Sequence, residues 1–379
     1  MIEIEGFCHR DHKDTEWYAF FTCQYDSHVL PEESASWAAS KLFAFLPLRP
    51  KKPPLTPFTM QFFDAKTTRA ALPFERLIAQ LQTLFAAGCE VPKRHVHEIA
   101  GVGVEAAPLT SLLMPAWLPG RFYGVKIVNI AAGNAARGLP GLHASYLLHD
   151  AVTGVPLALI DGDEITARRT AAASALAAST LARPDARHLL VVGAGRVARL
   201  LPQAYLAVRA IERVSVWARS AEQADAFVAE LREQGIAATV APDLQAAASA
   251  ADIVSCATLA TTPLIDGRWL RPGSHLDLIG SFTPAMREAD DACFAGAAIY
   301  VDTDEALQKS GDLLGPLARG VFAASDVRGT LTTLARAAGR GEVCGRLDAA
   351  ERTVFKSVGT ALEDLAAAML VWENRVALV

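Results

Sequence analysis

The chain has 379 residues, enough for two domains with buried cores, and 51% hydrophobic against 20% charged residues is the balance of a globular protein, neither disordered nor fibrous. Thirty-six Lys and Arg against 41 Asp and Glu leave a formal charge of −5, so no global positive field exists to gather nucleic acid or anionic lipid, and a small-molecule partner is expected. The longest uncharged stretches, 106–120 (broken by Pro108, Pro115 and Pro119) and 170–182, fall short of the ~20 apolar residues of a membrane helix, so no membrane span is expected.

The first residues, MIEIEGFCHRDHKD, carry acids and lack the basic start and apolar core of a secretory signal, which makes the cytoplasm the expected location. Six scattered cysteines with no C-x-x-C are expected to be reduced thiols. Residues 1–59 differ from the rest: they hold ten of the 28 aromatic residues and end in the proline-rich linker PLRPKKPPLTP, before Met60 opens an evenly alanine-rich remainder. They read either as a small appended element or as an upstream extension of the reading frame that folds poorly, and the second is preferred. Cys8, His12, Cys23 and His28 fit no common zinc spacing, and no metal is expected.

Leu77, Ile78, Leu81, Leu84 and Phe85 recur at helical spacing within 72–87, predicting an amphipathic helix. Short β-like runs follow at 95–99, 110–114, 123–130, 144–149 and 156–161, separated by Gly and Pro turns, and predict a largely antiparallel sheet. An alanine-rich helix over 164–181 leads to Arg183-Pro184-Asp185, a plausible boundary. Between 188 and 302 strand and helix alternate, the rhythm of a parallel sheet covered by helices. After Asp326 the chain reads as helical again, with Val354, Val358, Ala361, Leu362, Leu365 and Met369 as one apolar stripe that needs a surface to cover. The fold class is therefore α/β, a Rossmann dinucleotide-binding domain over 183–326 with an α+β domain built from 60–182 and 327–379.

The strongest local signal is VVGAGRVA, a buried strand running into Gly193-Ala194-Gly195-Arg196-Val197-Ala198 and a helix. The glycines allow a tight turn and close approach of a pyrophosphate to the helix N-terminus, and the alanine lets that helix pack on the strand. The second strand ends Trp217-Ala218-Arg219-Ser220 without the carboxylate that would take the ribose hydroxyl of NAD. A guanidinium and a hydroxyl there suit a 2′-phosphate, so NADPH is the expected cofactor, with NADH the alternative. Lys126 sits inside the apolar strand YGVKIVNI, Arg94 at a strand start, and Arg169 near the start of the alanine-rich helix. Such cations need an anion nearby, either a ligand or an internal partner such as Glu98, Asp161, Asp163 or Glu164.

YGVKIVNIAAGN, DGDEITARRTAAASALAA, VVGAGRVA, IGSFTPAMREAD, KSGDL and FKSVGTALEDLAAA, in this order from about Met60 to the C-terminus, closely resemble the ornithine cyclodeaminase/mu-crystallin family. The resemblance implies a substrate and dimerisation domain around a Rossmann domain, and a homodimer. It implies that Arg94 and Arg169 clamp a substrate α-carboxylate, that Lys126 lies beside the reacting centre, and that Cys256-Ala257-Thr258 and the segment from Ser357 to Gly359 border the cofactor. Where ornithine cyclodeaminases carry a catalytic aspartate in Gly-Gly-Asp-Cys-Pro-Gly-Lys, this chain reads Gly280-Ser281-Phe282-Thr283-Pro284-Ala285-Met286. A phenylalanine transfers no proton, and loss of a general base costs roughly a hundred- to ten-thousandfold in rate.

The GSFTPAMRE pattern instead resembles the branch of imine reductases that take Δ1-pyrroline-2-carboxylate to L-proline and Δ1-piperideine-2-carboxylate to L-pipecolate. On that reading Phe282 walls an apolar ring site, Lys126 holds the carboxylate or supplies a proton, and Ser281 hydrogen-bonds the ring nitrogen. Ornithine cyclodeaminase or alanine dehydrogenase activity, or a mu-crystallin-like protein that only binds NADPH and a small ligand, remain the alternatives.

Overall fold

A computed structural model describes residues 4–10, 17–23, 59–101 and 108–375. Contacts divide the chain into Met1–Pro57 and Phe58–Val379. In the first unit β1 (Ile4–Arg10) and β2 (Trp17–Cys23) pair antiparallel, Ile4 opposite Cys23 and Arg10 opposite Trp17. The proline-rich linker and the considered ligands His12 and His28 lie outside the described residues.

The second unit begins with β3 (Gln61–Phe63), β4 (His95–Ile99), β5 (Leu109–Leu118), β6 (Phe122–Ala131), β7 (Leu142–Asp150) and β8 (Pro156–Asp161), in the spatial order β3-β8-β7-β6-β5-β4. The pairs are antiparallel except β3 with β8. On β6 positions Gly124, Lys126 and Val128 are the buried ones, the period-two pattern of a sheet covered on one side. Its cover is α1 (Ala65–Ala71), α3 (Gly162–Leu181) and a helix from the far end of the chain, and α2 (Phe74–Ala87) packs on α3 and on that last helix. Phe74, Leu77, Ile78, Leu81, Leu84 and Phe85 give α2 its buried stripe. The alanines of α3 are buried nearly all round because the helix also packs on the second sheet, where small side chains permit close approach.

That second sheet comprises β9 (His188–Val192), β10 (Arg213–Trp217), β11 (Ala238–Val240), β12 (Ile253–Cys256), β13 (His275–Leu278), β14 (Ala298–Val301), β15 (Val327–Thr330) and β16 (Thr353–Lys356). All its pairings are parallel, in the order β11-β10-β9-β12-β13-β16-β14-β15. Around it run α4 (Leu201–Leu206), α5 (Ala221–Glu233), α6 (Leu244–Ala250), α7 (Ala306–Lys309), α8 (Gly311–Ala318) and α9 (Leu331–Gly339). The strand order reverses between β9 and β12, and the crevice beyond the carboxyl ends at such a reversal is where doubly wound sheets bind ligands.

One expectation needs correction. The stretch 327–379 does not belong wholly with the first sheet, because β15 and β16 join the second and β16 lies between β13 and β14. Val354 is therefore a buried strand residue, and the last helix, α10 (Ala361–Asn374), starts only after Thr360. Thr353-Val354-Phe355-Lys356 is a short β-branched and aromatic run, which helical spacing alone cannot separate from the start of a helix. As expected, α10 packs on the first sheet, against β5 and β6, and on α2 and α3. No helix among the described residues is long and apolar enough to cross a membrane.

Candidate active site

The five residues of β9 are all buried and run into Gly193, whose φ of +122° lies in the region that favours glycine. Its amide donates to the Trp217 carbonyl at 2.8 Å, and a Cβ here would stand 2.6 Å from the Ala257 carbonyl oxygen, so this glycine lets the loops after β9 and β12 touch. A Cβ on Gly195 would meet nothing within 4 Å. The turn therefore offers an open cradle of backbone with one flank held rigid, which fits a bound pyrophosphate. Arg196 points from the turn to α3, donating to Glu164 Oε2 at 3.1 Å. Ala194 and Val197 are half-buried and Ala198 is buried, opening a single 3₁₀ turn that leads into α4.

Beyond β10, Arg219 is exposed, while Ser220 caps α5 by accepting from the Gln223 amide at 3.3 Å. Cys256 is buried, and burial raises its thiol pKa well above the ordinary value, so it is no nucleophile. The Ala257 amide donates to the Val192 carbonyl at 2.9 Å. Glu288, which the sequence analysis missed, ties this edge together. Its Oε1 accepts from Thr258 N and Oγ1 at 2.7 and 2.8 Å, and its Oε2 from Gly280 N at 2.6 Å. Burial pushes its carboxyl up to about 7. One side chain thus joins the loops that leave β12 and β13.

The three cations converge, although not on the partners considered from the sequence. Lys126 is 2% exposed, and its ammonium meets Asp364 Oδ1 at 2.8 Å and Thr166 Oγ1 at 3.3 Å. Arg169 donates from Nε to the same Asp364 Oδ1 at 2.9 Å and from Nη1 to Glu363 Oε2 at 2.5 Å. Arg94, more open, donates to the Gly359 carbonyl at 3.1 Å and to Glu305 Oε2 at 3.3 Å. Gly359, at a φ of +78°, lies against the Arg169 guanidinium, and its amide and that of Val358 donate to the buried Asp302. Glu164, one of the considered partners, binds Arg69 and Arg196 instead.

These charges set one another's protonation. Burial lowers the Lys126 pKa to about 8, with Asp364 resisting the shift and Arg169 adding to it. Burial opposes the charge on Asp364 too, but Lys126 and Arg169 more than offset that and hold its carboxyl below the usual range. The cluster thus presents an ammonium that titrates near neutrality beside a guanidinium that does not.

Ser281 is not available to a ring nitrogen. Its hydroxyl, wholly buried, donates to the Met286 carbonyl at 2.5 Å, accepts from the Asp312 amide at 3.1 Å, and lies 3.0 Å from the Ser310 hydroxyl. One hydroxyl has one proton, so the expected contact is replaced by a loop-fastening role. Phe282, the next residue, is 47% exposed on the loop after β13. The amide of Ser357 donates to the Leu278 carbonyl at 3.1 Å, which brings the segment after β16 beside that loop. Asp277, the nearest acid in sequence, is buried in the sheet and accepts from Ser174, Tyr205 and Ser255 at 3.0, 2.9 and 2.5 Å. It is fastened between α3, α4 and β12.

Comparison with known proteins places the sequence and the fold among relatives. The profile of the Ornithine cyclodeaminase/mu-crystallin family matches residues 105–377. A Delta(1)-pyrroline-2-carboxylate reductase of Paracoccus denitrificans is 48% identical over 260 residues, 68% of this chain and 80% of that one. Among solved structures, the Thermococcus litoralis Delta(1)-pyrroline-2-carboxylate reductase in complex with NADH and L-proline superposes with a TM-score of 0.76 at 32% identity, covering 84% of this chain and 98% of its own. An archaeal alanine dehydrogenase dimer with bound NAD gives 0.74 at 28% identity, with 84% and 96% covered.

Proposed function

The chain belongs to the ornithine cyclodeaminase/mu-crystallin family, and from that premise we propose that it is an NAD(P)H-dependent reductase of cyclic ketimines, forming L-proline from Δ1-pyrroline-2-carboxylate and L-pipecolate from Δ1-piperideine-2-carboxylate. The observation that carries the choice of reaction is Phe282. A side chain without an ionisable group stands, half-exposed, on the loop beyond β13, while the buried cations that suit a carboxylate are all present. The relatives named for pyrroline-2-carboxylate reduction support the same choice.

The cofactor's pyrophosphate would be held by the Gly193–Ala198 turn and its nicotinamide end bordered by Cys256–Thr258 and Ser357–Gly359, and when bound a reduced nicotinamide supplies a hydride. The rest falls to this chain. Arg94 and Arg169 orient the substrate carboxylate, the first from the open side and the second from beneath. Lys126 holds a proton at Nζ close to the site and stays charged below about pH 8. Phe282 shields the ring from water. An assay of NADPH oxidation against both ketimines, against pyruvate with ammonia, and of ornithine with NAD tests the reading: rapid turnover of the ketimines alone supports it, and ammonia release from ornithine contradicts it.

NADPH is the preferred cofactor on this reading, because Arg219 stands exposed where β10 ends and no carboxylate accompanies it. Arg219→Asp should lower the ratio of kcat/KM for NADPH to that for NADH by about ten- to a hundredfold, the span of one or two charge-assisted contacts. An unchanged ratio would make Arg219 a solvated surface residue.

The protein is further proposed to be a homodimer joined through the first sheet. Every residue of β4 is exposed, with Val96 and Ile99 among the open apolar side chains, and an uncovered strand edge of this kind invites pairing. Light scattering should give twice the chain mass at micromolar concentration, and a monomer there would count against the proposal.

A further inference from the structure

In the cation cluster, Lys126 on β6 and Arg169 on α3 face Glu363 and Asp364 in the first turn of α10. All four are almost sealed, with side-chain exposures from 0% to 7%. The two carboxylates are not alike. Asp364 contacts both cations, whereas Glu363 reaches Arg169 through Oε2 alone. Its Oε1 is buried with no hydrogen-bond partner among the described residues, and Asp364 Oδ2, which also lacks a hydrogen bond, has the Lys126 ammonium at 2.7 Å. A carboxylate oxygen without a partner and out of reach of water makes Glu363 the member of the cluster that most readily accepts a proton, and in the acid form Oε2 still accepts from Arg169.

The sequence position makes this placement notable. Thr360-Ala361-Leu362-Glu363 has the spacing of a capping box, in which the glutamate would reach back to the Thr360 amide. Here Thr360 caps the Leu362 amide while Glu363 turns to Arg169. The groups that bear on Glu363 are Arg169 and Asp364, Lys126 across Asp364, and Asp302 from beyond β14. Tyr146 of β7 is coupled to Asp364, and Arg94, paired with Glu305, closes the open side over Gly359. Burial and the two aspartates push the Glu363 carboxyl up to about 7 against the pull of Arg169.

Two cations and two carboxylates in contact leave no surplus positive charge for an incoming carboxylate, and an unmatched anion in a sealed site is strongly unfavourable. We propose that Glu363 takes up a proton from solvent when a carboxylate ligand enters, so that ligand binding and proton uptake are a single event. No covalent bond forms or breaks. The inference rests on reading the site as one for a cyclic imino acid, and it assigns Glu363 a positioning role exerted through Arg169.

The test is titration calorimetry of the NADP⁺-loaded protein with pyrrole-2-carboxylate, a planar anion with no basic nitrogen, just above neutral pH in phosphate and in Tris. The heats should differ between the buffers by the part of a proton that Glu363 lacks at that pH, and affinity should fall about tenfold per pH unit once the pH is well above the Glu363 pKa. Glu363→Gln, which has no proton to gain, should bind with heats that are equal in the two buffers and with an affinity that no longer follows pH in this way. Infrared difference spectra of the wild type should show a carboxylic-acid carbonyl band appearing on binding, a readout independent of the variant's folding. Buffer-independent heats in the wild type, or no such band, overturn the coupling alone. Linkage that persists in Glu363→Gln assigns the proton to Lys126 and also overturns it. A wild type that does not bind the probe sinks the cyclic-imino-acid reading and the coupling with it.

Discussion

Lys126→Met is expected to lower kcat/KM for Δ1-pyrroline-2-carboxylate by about a hundredfold to ten-thousandfold, the range seen when a positioned proton-transferring group is lost. Methionine fills the buried volume on β6, so the sheet should form, but Asp364 then keeps only Arg169 and the site loses the charge proposed to face the substrate. The wild type should show the same dependence with pH. Burial sets the Lys126 pKa near 8, below its ordinary value. The ammonium therefore persists below that pH, and kcat/KM should decline as pH rises through it. Cofactor binding, followed by nicotinamide fluorescence, should survive the substitution, because the Gly193–Ala198 turn makes no contact with Lys126 in the hydrogen-bond network. A variant with wild-type kcat/KM would remove Lys126 from the site.

The second large effect is expected at Gly359. Its φ of +78° costs an alanine about 1–2 kcal/mol in backbone strain, and an added Cβ would lie 2.6 and 2.7 Å from Nη1 and Nη2 of Arg169. Strain alone would lower the melting temperature, whereas displacing Arg169 would also raise KM and reduce kcat. Gly341 separates the two. It has a φ of +68°, and a Cβ there would meet nothing within 4 Å. Gly341→Ala should therefore cost stability with activity intact, whereas Gly359→Ala should lower kcat/KM by more than about tenfold, the loss expected when a clamping side chain is misplaced. Equal activities in the two variants would show that the Gly359 contact does not hold Arg169 in place.

What the sequence made legible follows from the strength of local patterns. The glycine turn was readable because strand, glycines and alternating units agree with one another, and the first sheet because a cation inside YGVKIVNI stands out against an apolar strand. Partners distant in the chain were not readable. Lys126 and Asp364 are 238 positions apart, and no spacing rule connects them. The signal was nevertheless present: two adjacent acids in ALEDLAAAML, within a helix buried nearly all round, require cations. Glu288 had a weaker mark, as an acid between Arg287 and Asp290 in a loop that looked solvated, and only the close approach of the β12 and β13 loops explains it. β16 is not legible because four residues are too few to show a period. Ser281 reads as chemistry in the sequence because a hydroxyl beside a functional position carries no sign there of the partners that occupy it.

The central claim is that this chain reduces a cyclic imine at the carbon bearing the carboxylate. It is tested most directly by turnover of Δ1-pyrroline-2-carboxylate with NADPH deuterated at the transferable position of the nicotinamide C4, with the product analysed by proton NMR and chiral chromatography. The account predicts L-proline carrying one deuterium at C2, formed in step with NADPH oxidation. NADPH oxidation that yields no proline, or proline without deuterium at C2, would contradict it.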